Sequence, residues 1–234
     1  MVNTPSEVVW LNQATFTWKD AQQPILHIPE LRILRGEHVF IKGPSGCGKS
    51  TLLSLMTGIN ALQSGQLRIL GTDLGSLSPS ARDKFRADHI GYIFQQFNLL
   101  PYLNVVENVL LPCQFSKLRA GQIGGQAHEQ AIQLLTRLHL PPALHNKPVS
   151  ELSIGQQQRV AAARALIGAP ELVIADEPTS ALDYDNRSAF IELLMEQANS
   201  VNATLIFVSH DPSLEALFNR TIDLRELNQA GVIA

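Results

Sequence analysis

Gly43, Pro44, Ser45, Gly46, Cys47, Gly48, Lys49, Ser50 and Thr51 fill every fixed position of the pattern G-x-x-x-x-G-K-[ST]. Glycines at these places let successive backbone N–H groups turn inward without obstruction from a Cβ, forming a nest for phosphate oxygens. Lys49 would reach β- and γ-phosphates, and the Ser50 hydroxyl would ligate Mg²⁺. Cys47 fills a small-residue slot in the loop. A second constellation is Leu172-Val173-Ile174-Ala175 followed by Asp176 and Glu177. An apolar run ending in two acids puts carboxylates at the carboxyl edge of a parallel sheet, where α/β folds place ligands. Asp176 would hold Mg²⁺ through its water shell, and Glu177 would polarise a water for in-line attack on the γ-phosphate. Strand-end acids alone would be solvated charges; beside a complete phosphate loop they point to hydrolysis of a nucleoside triphosphate.

The flanking residues supply the elements this chemistry needs. Val39–Lys42 is short, apolar and β-branched at its ends, as in a buried strand, and Leu52–Met56 predicts a helix closing at Gly58. The positive end of that helix would face the same anion as the loop. Earlier, Val8–Phe16 and Ile25–Ile33 read as strands, the second interrupted by Pro29 and therefore at an edge or a bulge. Gly65–Gly71 reads as another strand, so the opening third forms an antiparallel wrap around a nucleotide-binding core. Ser78 and Pro79 open a short helix, and His89–Phe94 is a strand ending at Gln95. From Leu99 to Leu152 the strand signal fades and helices take over, clearest at Gln126–Leu140. Asp185–Asn199 predicts a helix and Thr204–Ser209 a buried strand, followed by a short helix from Pro212.

Composition narrows the setting. The chain has 234 residues, 45% of them hydrophobic, and a formal charge of −3, so it lacks the basic balance of a nucleic-acid binder. Its two cysteines lie far apart, which argues against a disulfide framework. No apolar run is long enough to cross a bilayer, and Met1–Pro5 lacks a signal pattern. The expected location is the cytoplasm unless a partner holds the chain at a membrane.

Leu152-Ser153-Ile154-Gly155-Gln156, opening an alanine-rich helix, would pass by itself as an ordinary capped helix and a further helix-N-terminal anion site. Here the sequence resembles the ATP-binding-cassette (ABC) ATPase family, whose signature is Leu-Ser-Gly-Gly-Gln: Ser153, Gly155 and Gln156 match, and Ile154 replaces the first glycine. The resemblance covers nearly the whole chain. It implies that Gln95 is the Q-loop glutamine sensing Mg²⁺ and the attacking water, that Asp183 lies in the D-loop, and that His210 is the switch histidine at the γ-phosphate. It also implies an aromatic stacked on adenine, Trp18, with Phe16 as a rival two residues away.

The implied fold is α/β: a P-loop NTPase core with an N-terminal antiparallel β subdomain and an inserted helical subdomain. Within a single ATP-binding domain spanning 1–234, the core would take 1–95 and 166–234 and the helical subdomain 96–165. The implied cofactors are ATP and Mg²⁺. Such subunits work as homodimers or pseudo-dimers, each ATP lying between one phosphate loop and the partner's signature. Gln95–Pro101 and Val105–Val109 look like the lipoprotein-release and macrolide-export branch, which drives permeases from the cytoplasmic face of the membrane. That branch implies a separate permease partner, met near the Q-loop through residues such as Phe97, Leu99, Leu100 and Tyr102, and no nucleic acid. Chain length leaves no room after His210 for an added regulatory domain. The alternative is a cell-division-type ATPase that regulates a membrane partner; co-purification with a permease and substrate-stimulated hydrolysis would separate the two. A glycine in place of Ile154 would allow closer approach to a partner's nucleotide, so Ile154 is expected to lower turnover or dimer affinity.

Overall fold

The computed structural model describes residues 7–180 and 184–230, the side chains of 184–186 excepted. In chain order the elements are β1 (Glu7–Phe16), β2 (Leu26–Leu34), β3 (His38–Lys42), α1 (Lys49–Met56), β4 (Ser64–Ile69), β5 (Thr72–Asp73), α2 (Pro79–His89), β6 (Ile90–Ile93), α3 (Val105–Phe115), α4 (Lys117–Gln122), α5 (Ala127–Arg137), α6 (Ile154–Leu166), β7 (Leu172–Asp176), α7 (Tyr184–Ser200), β8 (Thr204–Ser209), β9 (Arg220–Asp223) and α8 (Leu224–Leu227). They form two compact units: residues up to Arg86 together with those from Ile206 onward, and Ala87–Leu205.

In the first unit β1 alternates buried and half-exposed residues, as a strand with one face on a core must. It pairs antiparallel with β2 on one side and β4 on the other, giving the order β2-β1-β4-β5. β2 is the edge, which is where Pro29 can sit without removing a ladder hydrogen bond. Opposite it, Gln13 is left-handed with φ 47°, and Asn12 and Ala14 pair with Glu30 and Ile28 on either side. β3 leaves this sheet and runs parallel to β9, with β8 on its other side. Phe40 of β3, Phe207 of β8 and Phe218 pack with ring centroids 5.2–6.1 Å apart, so the strands that end at the phosphate loop and at His210 share an apolar backing. The short helix expected from Pro212 is a 3₁₀ helix over Pro212–Leu217.

In the second unit β6 and β7 run parallel in register, Ile90 opposite Leu172 and Ile93 opposite Ala175. Leu172–Ala175 is wholly buried, which is why it reads as a continuous apolar run. Gly91 of β6 lies so close to α6 that a Cβ there would stand 2.2 Å from the Ala165 carbonyl oxygen; no other residue fits. Beneath α6, the buried Arg119 of α4 donates from Nε to the Ile167 oxygen at 2.8 Å and from Nη2 to the Ala165 oxygen at 2.7 Å. These bonds satisfy carbonyls at the carboxyl end of α6, where a helix has none of its own to use. Burial lowers the Arg119 guanidinium to about 10.

Candidate functional site

In the first unit the phosphate loop follows β3 directly. Gly46 and Gly48 take left-handed φ values of 82° and 102°. Gly48 is also the N-cap of α1, and it offers no side-chain cap. The amino end of α1, the end of a helix that suits an anion, is thus not closed by a side chain of its N-cap residue. A Cβ at Gly48 would meet Leu26 Cδ2 at 2.6 Å, so β2 presses against the loop at this residue. Lys49 is buried; its Nζ donates to the Gly43 oxygen at 2.6 Å and the Pro44 oxygen at 3.1 Å, which folds the ammonium over the loop. Gly43 and Thr51 are buried, Pro44, Ser45, Gly46 and Ser50 are exposed, and Cys47 lies between.

The same unit holds the two aromatic candidates, and it separates them. Phe16 is the last residue of β1, pairs with Leu26, and is only 5% exposed. Trp18 lies just beyond the strand and is 47% exposed, with the edge of one ring meeting the face of the other at 5.0 Å and 89°. Gln63 holds the intervening backbone, accepting from Thr17 N at 2.7 Å and donating to Thr17 O at 2.5 Å. Contacts thus run from Trp18 to Phe16, from Phe16 to Leu26, and from Leu26 to Gly48. His210 follows β8 and is exposed.

The second unit holds Asp176, Glu177, Gln95 and Ser153–Gln156. Asp176 ends β7, and one of its oxygens accepts from the Tyr92 hydroxyl at 3.2 Å. Burial, then the Asp176 charge and this hydrogen bond, raise the Tyr92 phenol far above its ordinary value, so it stays a donor to the carboxylate. Glu177 has a left-handed backbone, φ 46°, immediately before Pro178. Left-handed residues other than glycine and asparagine are uncommon, and such strain gathers where a side chain must be aimed. Gln95 is exposed on the turn that leaves β6. That turn contains two further left-handed residues, Phe97 and Asn98, and their carbonyls accept from the guanidinium of Arg164, at 2.7 Å for Asn98. Phe97 is buried, so this ring packs the unit instead of offering the permease contact expected of it; Tyr102 remains exposed.

At the amino end of α6, Ser153 Oγ accepts from Gln156 N and Gln156 Oε1 accepts from Ser153 N, a closed capping box. The box uses the amides of Ser153 and Gln156 and leaves those of Ile154 and Gly155 without an intrahelical partner. Gly155 lines a concavity of ≈ 420 Å³ whose walls also include His139, Ser153, Gln156 and Arg159. Arg159 Nη1 donates to the Leu138 oxygen at 2.7 Å and so fixes the neighbouring left-handed His139. Asp183 lies outside the described residues.

Motif spacing did not single out Gln158, Arg164, Tyr92 or Asn228. For Arg164 a signal existed: one cation in the run Val160-Ala161-Ala162-Ala163-Arg164-Ala165-Leu166 implies a buried charge that needs partners.

An antiparallel sheet and parallel strands with helices, with a glycine loop leading into α1, make up the architecture of an ABC ATPase cassette. The chain belongs to the ABC transporter family, whose model matches residues 26–180. That span holds the phosphate loop, Gln95, the signature, Asp176 and Glu177; Trp18, Asp183 and His210 fall outside it. The chain is 40% identical to the lipoprotein-releasing system ATP-binding protein LolD of Psychrobacter arcticus, over 84% of this chain and 85% of LolD. It is 38% identical to the macrolide export ATP-binding/permease protein MacB of Syntrophobacter fumaroxidans, over 91% of this chain but only 29% of MacB. Among solved structures it matches the dimeric post-hydrolysis state of the ATP-binding cassette MJ0796 bound to ADP and Pi, with TM-score 0.82, 36% identity and 95% of each chain covered.

Proposed function

We propose that this chain is the ATP-hydrolysing subunit of a transporter of the lipoprotein-release and macrolide-export type, driving a separate membrane permease. Two subunits close on ATP, each nucleotide held by one phosphate loop and by the Ser153–Gln156 end of the partner's α6. The observation that supports this reading is a second helix amino end facing a concavity, lined by Ser153, Gly155 and Gln156, on the same chain as a complete phosphate-loop motif. One nucleotide site needs only one such helix end, and two on one chain suit a head-to-tail pair. Residues 96–165 serve as the helical subdomain within a core of 1–95 and 166–234.

Lys49 and the loop amides bind and neutralise phosphate oxygens, Trp18 stacks on adenine, and Asp183 contributes at the subunit junction. Glu177 polarises the attacking water, with Gln95 and His210 orienting it and the γ-phosphate. The donors offered to Mg²⁺ are oxygens: the Ser50 hydroxyl, the Asp176 carboxylate and the Gln95 amide. No group of three or more His, Cys, Asp or Glu side chains able to hold a metal occurs among the described residues. This donor set fits a hard cation that keeps waters and leans on nucleotide phosphates, neutralising their charge. Among the described residues no helix is long and apolar enough to cross a membrane. The chain would therefore sit peripherally on the cytoplasmic face, held by its permease.

The test is Glu177→Gln. Hydrolysis is expected to fall at least about a hundredfold, as for loss of a general base, while an ATP-bound dimer accumulates on size exclusion. Normal turnover in this variant would remove Glu177 as the base.

A further inference from the structure

A residue near the end of the chain, far from every nucleotide-binding motif, reaches the phosphate loop. Asn228 caps α8, and its side chain makes four contacts. Its Nδ2 donates to the Ile25 oxygen at 2.9 Å and to the Cys47 oxygen at 3.3 Å; its Oδ1 accepts from His27 N at 2.9 Å and Ala230 N at 3.1 Å. The next residue adds a backbone bond, Gln229 N to the His27 oxygen at 2.8 Å. One amide therefore joins the start of β2, the phosphate loop and the end of α8.

The Cys47 contact bears on phosphate binding through peptide geometry. The carbonyl of Cys47 and the N–H of Gly48 belong to one planar trans peptide and point in opposite directions. A donor that holds the carbonyl on the Asn228 side turns the Gly48 N–H to the other side. Gly48 has φ 102°, and glycine has the widest choice of conformations of any residue, so its peptide most needs an external constraint. The second wall comes from the same place: Leu26, which presses on Gly48, lies between Ile25 and His27, the two residues that Asn228 clamps.

We propose that Asn228 is a positioning residue of the phosphate loop, fixing the Cys47–Gly48 peptide so that its N–H faces the nucleotide phosphates. The proposal rests on the reading of Gly43–Thr51 as the ATP phosphate loop. Two variants of the full chain test it, with Kd for ATP by titration calorimetry and the thermal midpoint of the nucleotide-free protein as readouts. Asn228→Ala removes both the donor and the acceptor. Asn228→Asp keeps the acceptor for His27 N and Ala230 N and loses only the donor. Both should weaken ATP roughly three- to tenfold, the worth of one hydrogen bond, while the Asp variant keeps a thermal midpoint near that of the parent.

A folded Asn228→Ala protein that binds ATP as tightly as the parent overturns the proposal. Should the Ala variant fail to fold, the Asp variant decides, read at about 0.15 M and about 1 M salt. Weakening that disappears at high salt is charge repulsion and overturns the proposal; weakening that persists supports it. If the parent chain itself binds no ATP, the reading of the loop fails first, and that result is distinct from either variant's.

Discussion

The buried side-chain amide of Gln158 donates to the carbonyl oxygen of Pro178 at 2.9 Å, so the helix that opens at the signature also holds the backbone just after Glu177. Six residues further along α6, Arg164 holds the carbonyls of Phe97 and Asn98, just after Gln95. At 13 residues, α6 is about 20 Å long. Along it lie three attachments: the Ser153–Gln156 capping box, the strained turn at Glu177, and the Q-loop turn. One helix thus joins all three places.

Replacing Arg164 tests that attachment. Arg164→Met removes charged donors from two carbonyls of the turn after Gln95, one of them that of the buried Phe97, and should cost about 2–4 kcal/mol in urea denaturation. Arg164→Lys, which can reach one carbonyl, should lose less. In both, kcat for ATP hydrolysis should fall while KM for ATP stays near the parent value, because Lys49 and the loop amides lie in the other unit. A KM rise without a kcat fall would show that the Q-loop turn does not depend on this guanidinium.

Ile154 occupies the first turn of α6 in helical conformation and is 52% exposed. Its backbone needs no glycine, so what it adds at the exposed amino end of α6 is bulk. Ile154→Gly should raise ATP-dependent dimer formation or turnover, and lower stability by about 0.5–1 kcal/mol through helix propensity. Sedimentation with and without ATP, alongside a hydrolysis assay, reads this; no change in either quantity would leave Ile154 without a functional effect.

Trp18 and Phe16 should respond differently. Trp18→Ala should weaken ATP by roughly tenfold and leave inorganic triphosphate binding unchanged, the expected mark of a lost base-stacking surface. Phe16→Leu should act on stability, since Phe16 is buried against Leu26 and Trp18. Competition of triphosphate against labelled ATP separates the two effects; equal losses for ATP and triphosphate in Trp18→Ala would refute stacking on the base.

The strand and helix that flank Gly43–Thr51 were legible in their residue types, and the strand ending at Asp176 was legible because burial on both faces makes Leu172–Ala175 uniformly apolar. The edge position of β2 was legible in Pro29 for the same kind of reason. What spacing could not show were contacts between residues remote in sequence. Asn228 reaches Cys47 across 181 positions, and nothing local to an asparagine after a four-residue helix announces it. Nor did periodicity reveal that Glu177, Phe97 and Asn98 all adopt left-handed backbone, since none is a glycine. The choice between Phe16 and Trp18 depended on where β1 ends, a boundary that alternation alone leaves open by a residue or two.

The capping box at Ser153 and Gln156 has one more consequence. It is closed by groups of a single chain, so this end of α6 is a finished surface before anything docks on it. In the pairing proposed above, an arriving triphosphate would find amides already aimed, with no segment left to fold and little ordering entropy to lose. Pairing on that surface would then depend on encounter and on bound nucleotide, not on folding of this helix end.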